Sequence, residues 1–83
     1  MIVTRSEIEE RAEQAERLRT DPVFQRAIGE ARKRRVEALI AARPDDAETI
    51  RTIQADIKAI DGLCNEIANE ILRAKPQRAM AVA

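Results

Sequence analysis

Residues 50–74 read IRTIQADIKAIDGLCNEIANEILRA, and their spacing decides the fold. Ile50, Ile53, Ile57, Ile60, Cys64, Ile67, Ile71 and Ala74 follow one another at steps of three and four, without a break. That is an a/d heptad seam of period 3.5, and it draws a straight apolar line along one helix. A helix with such a line winds left-handed against a neighbour. The seam is therefore the expected packing surface of the protein, and the rest of the chain is read by what it offers to that surface.

Upstream, Pro44 ends one helix and Asp45 or Asp46 begins the next, Glu48 forming a box-like pair with Asp45. A junction this short makes the two helices run antiparallel and side by side. Asp21 followed by Pro22 is an N-cap with Pro at the first helical position. From there Val23, Phe24, Ala27, Ile28, Ala31, Val36, Leu39 and Ile40 carry an apolar face up to Pro44. Thr4 and Glu7 make a capping box for a first helix, Val3 and Ile8 its hydrophobic staple, and Ser6 with Glu9 a competing box. The stripe of that helix, Ile8, Ala12, Ala15 and Leu18, is half Ala, so it is expected to be the most weakly held. The prediction is an all-α, coiled-coil-like antiparallel helical hairpin with a shorter N-terminal helix, completed by oligomerisation. It is one domain over 1–83, with helices at about 5–19, 22–43 and 46–74. Pro76 is expected to stop the last helix and leave 75–83 as a tail.

Charge fits the hairpin. Residues 21–44 carry net +3 and residues 45–74 net −4, in a chain of 83 residues with no net charge. The two arms attract, which sets orientation more than stability. Large apolar side chains are few, because Ala makes up much of the 45% hydrophobic content. A lone three-helix monomer of this length would be marginal, so association is the default expectation.

Composition excludes much chemistry. There is no His, which removes the commonest general base and metal ligand. One Cys builds neither a disulfide framework nor a zinc site. The expectation is a non-enzymatic protein with no cofactor, no metal and no small-molecule substrate. No apolar run reaches the ~18 residues of a membrane span, and no signal-peptide h-region is present. The protein is read as cytoplasmic at synthesis, and not membrane-bound.

The basic run Arg32-Lys33-Arg34-Arg35 has two readings. It is either a docking patch for an acidic partner or a phosphate backbone, or a solvated belt facing the acids of the last helix. The belt is the commoner outcome. Nucleic acid is disfavoured because the one aromatic residue, Phe24, offers no stacking platform. Cys64 sits in the seam as a small core residue, with no neighbour in sequence to activate it. Gly29 and Gly62 lie inside helices, where they either admit another helix closely or are simply tolerated.

The stretch Leu18-Arg19-Thr20-Asp21-Pro22-Val23-Phe24-Gln25-Arg26-Ala27 resembles a family of small helical proteins encoded among virion-assembly genes of tailed phages and prophages. The turn Asp45-Asp46-Ala47-Glu48 and the closing Ile71-Leu72-Arg73-Ala74-Lys75 match the same pattern, over about residues 12 to 75. The chain departs from it where the Ile seam replaces aromatics in the last helix. The resemblance implies a setting: a virion component or morphogenesis accessory, partnered by copies of itself or by a phage structural protein. A small DNA-associated regulator or packaging accessory using residues 32–35 is the alternative.

Overall fold

The computed structural model describes the backbone of residues 4–82 and the side chains of residues 4–74. It contains three helices, α1 (Arg5–Arg19), α2 (Pro22–Ala41) and α3 (Ala47–Val82). Each start is made by the side chain its sequence advertises. Thr4 Oγ1 accepts from the Glu7 amide at 3.1 Å, and Glu7 Oε2 accepts from the Thr4 amide at 3.4 Å, closing the capping box. Asp21 Oδ1 accepts from the Phe24 amide at 2.9 Å. Asp46 Oδ1 accepts from the Thr49 amide at 3.2 Å, and Asp46 Oδ2 from the Thr49 hydroxyl at 2.7 Å. The Asp45–Glu48 pair is not used; Asp45 instead meets Arg43 at the surface. Val3, the expected staple residue, lies outside the described residues.

Two boundaries differ from expectation. α2 stops at Ala41 rather than 43, and Ala42 is already extended at φ −66°, ψ 145°. The Pro44 ring disfavours helical geometry at Arg43, and the release propagates one residue back. The Asp46 amide then donates to the Arg43 carbonyl at 3.0 Å, closing a tight turn with Pro44 at its first central position. At the other end, α3 does not stop at Pro76 but continues to Val82. Proline deletes one backbone hydrogen bond, while the surrounding Arg, Ala, Lys, Gln and Met are good helix formers.

α3 is the spine. Its 36 residues account for most of the 57 Å length of the molecule. α2 runs back along its N-terminal half, with Arg35 level with Asp56 and Arg32 level with Asp61. α1 continues in the same direction along the C-terminal half, where Leu18 and Ala15 line a cleft with Glu66, Ile67 and Glu70. The joint is short and tied: the Thr20 hydroxyl donates to the Glu16 carbonyl at 2.9 Å, and the Gln25 side-chain amide to the Arg19 carbonyl at 2.8 Å. The first arm of the hairpin is thus broken in two, and α1 and α2 scarcely touch each other.

Burial overturns the expected ranking of the arms. Among the described residues the buried side chains are Ala12, Ala15, Ile53 and Ala74, two of them from α1 and none from α2. Ala in α1 lets its backbone come close to α3, and α1 makes the more extensive contact. α2 buries nothing fully; its half-buried residues are Phe24, Ile28, Arg35, Val36, Ala38 and Leu39, one of them charged. Val23, Ala27, Ala31 and Ile40, counted in the expected face, are exposed, Val23 at 68% and Ile40 at 80%. At 100° per residue, 23, 27 and 31 fall to one side of the inward line and 40 to the other.

Candidate functional site: the α2–α3 seam and the basic run

Every seam residue faces inward. Ile53 and Ala74 are buried, and Ile50, Ile57, Ile60, Cys64, Ile67 and Ile71 are half-buried. A heptad stripe keeps one face along the whole helix, so all eight positions turn toward the arm, α2 over the N-terminal half and α1 over the C-terminal half. One neighbour covers only one side of the stripe. The seam is therefore lined but not sealed, and among the described residues no large side chain is fully removed from solvent. Leu63 and Leu72 stand beside it at 50% and 52% exposure.

The basic run divides by helical geometry. Arg32 Nε donates to Asp61 Oδ1 at 2.9 Å and Arg32 Nη2 to Asp61 Oδ2 at 3.2 Å, a two-pronged fork. Arg35 Nη1 donates to Asp56 Oδ2 at 3.3 Å. Arg32's hydrogen bond holds the Asp61 carboxyl below the ordinary carboxylate range, and the same bond raises the guanidinium. The Asp46 carboxyl is lowered too, by the Thr49 hydroxyl and then the Thr49 amide. Lys33 and Arg34 point to solvent and make no ion pair among the described residues. The four cations are therefore not one patch: two clamp α2 to α3 and two remain outside. The sequence carried this in part, since four consecutive helical residues cannot share a face. Which acid each one reaches is set by the register of the hairpin.

Cys64 lines a small cleft with Phe24, Ile28, Gly29 and Ile67, beside the α1–α2 joint. The cleft is apolar and open, at the level where the first arm breaks. Neither glycine admits a close neighbour within the chain: a Cβ on Gly29 or Gly62 would meet nothing within 4 Å. Among the described residues no group of three His, Cys, Asp or Glu side chains is placed to hold a metal ion. Among the described residues no helix is long and apolar enough to cross a membrane. The arrangement can do one thing well, which is to present paired helices with an incompletely covered apolar line. Comparison with protein-family models, with curated proteins and with solved structures finds no match to this chain.

Proposed function

We propose that the protein is a non-enzymatic assembly module that acts by helix–helix packing, as a virion component or morphogenesis accessory of a tailed phage or prophage. One observation carries the first half: eight regularly spaced seam residues, six of them left half-covered in a molecule two helices thick. A half-covered isoleucine still exposes apolar surface, and covering it is worth about 25 cal/mol per Å². A further helical layer is the cover that matches a period of 3.5. The phage setting is supported by the resemblance over residues 12 to 75 alone.

The test is particle composition. Particles purified from a lysogen that carries the gene should contain the chain, or should fail to assemble when the gene is deleted. Intact, fully infectious particles from the deletion strain, with the chain absent from wild-type particles, would sink this reading. The DNA-associated alternative requires residues 32–35 to be available together. Two of the four cations, Arg32 and Arg35, are engaged with Asp61 and Asp56, which disfavours it. It predicts a mobility shift with duplex DNA, steeply weakened by salt and abolished by reversing Arg32, Lys33, Arg34 and Arg35.

A further inference from the structure

We propose that the layer covering the seam is a second copy of this chain, joined by a two-fold axis parallel to the rod, so that α2 of each copy lies over α3 of the other. The inference rests on the helix-packing reading above and adds to it the occupant, the face and the orientation.

Surface area calls for an occupant of this size. The chain exposes 6485 Å², whereas a compact chain of 9.3 kDa exposes about 5,000 Å². The excess, about 1,500 Å², exceeds the ~800 Å² per partner that a standard stable interface removes. Its radius of gyration, 17.5 Å, compares with about 12 Å for a compact chain of this length.

The face follows from helical geometry. Ala38 and Ala41 share one side of the hairpin with Glu48, Thr49 and Thr52, since together they line one groove. Ala31 lies one heptad from Ala38, with Ala27 one turn before it and Val23 one turn further; all three are exposed. Leu63 lies two heptads from Thr49, past Asp56, and is half exposed. This side therefore has a large knob on α3 and a small-residue stripe on α2.

The orientation follows from charge and height. A two-fold axis across the rod would stack α2 on α2 and α3 on α3, like on like, since the arms carry +3 and −4. An axis along the rod stacks basic arm on acidic arm twice. It also preserves height. Arg32 is level with Asp61, and Ile28 lines a cleft with Cys64, so Leu63 projects at the height between Ala27 and Ala31. In the dimer it enters the hole those two alanines leave on the second copy. Arg35 is level with Asp56 and bonds it through Oδ2 alone. Arg34, on the exposed side and without an ion pair among the described residues, then comes over Asp56 of the second copy.

Light scattering on the eluting full chain at micromolar concentration should give twice 9.3 kDa. Ala31→Glu and Leu63→Asp, both at exposed positions of the single chain, should each weaken self-association more than tenfold. Ile40→Asp, on the opposite flank, should leave it unchanged. Orientation is read independently in the otherwise wild-type dimer, with spin labels at Arg43→Cys on a Cys64→Ser background. The proposed axis puts the two labels at the same end of the rod, about 10–25 Å apart at helix-packing distances. The crossed axis puts them at opposite ends of a 57 Å rod. A monomer at 100-fold dilution series end points throughout, a dimer broken by Ile40→Asp but not by Leu63→Asp, or labels at opposite ends would each overturn the proposal. None of these bears on particle composition, so the two readings fail separately.

Discussion

Among the described residues Ile53 is the one large side chain that the single chain buries, at 4% exposure. Ile53→Ala should therefore cost more than the same change elsewhere in the seam, about 2–4 kcal/mol by urea denaturation. Ile60→Asp, at a half-buried position, places a charge in the middle of the line and should abolish cooperative melting. The carboxylates have their own signature. Asp46 and Asp61 are both depressed in the folded chain, so each contributes stability above the unfolded value near pH 4 and loses it as pH falls through the folded value. The urea midpoint should be flat from neutral pH down to about pH 5 and then drop. Asp61→Asn should flatten the drop and lower the neutral plateau, and a profile identical to wild type would remove the Arg32–Asp61 fork from the account. Both side chains of that fork are about half exposed, so its part is specificity of register more than stability.

The helices differ in what holds them. α1 was expected to be weakest because its stripe is Ala-rich, yet Ala12 and Ala15 are among the most buried residues. Small side chains bury little area each, but they permit close backbone approach, and area per residue alone missed that. In α2 the opposite happens: a stripe that looks continuous in sequence buries no side chain fully, and Arg35 among its half-buried residues ties it to Asp56. The interior glycines are the plainest test at this scale. Gly62→Ala and Gly29→Ala meet open space and remove backbone freedom from the unfolded chain, so each should stabilise by about 1 kcal/mol. No change in melting temperature for either would show that these turns are not regular helix. Pro76→Ala should slow amide exchange over residues 77–82, because it restores the backbone donor that proline removes.

The whole molecule is a long rod, 57 by 28 by 21 Å, with α3 as spine and a broken arm laid along it. Such a shape has a large surface for its mass and little interior, so its stability is coupled to whatever covers the seam. For a self-associating chain the melting temperature rises with protein concentration. It should do so here over a 100-fold range, and Ala31→Glu should remove the dependence. A melting temperature independent of concentration in the wild type would mean that the bare half of the seam is tolerated as it stands.

Local chemistry in the sequence determined the all-α class, the three helix starts, the tight turn at Pro44 and the inward line of α3, because caps, proline and periodicity act within a few residues. The end of α3 escaped that reading, since proline is a penalty on a helix and not a prohibition. Tertiary structure alone decided that α1 lies along the far half of α3, that Arg32 and Arg35 reach Asp61 and Asp56 while Lys33 and Arg34 do not, and that one side of the seam stays open. Those outcomes depend on the height of one arm against the other, a long-range quantity that a hairpin sets only when its two helices meet.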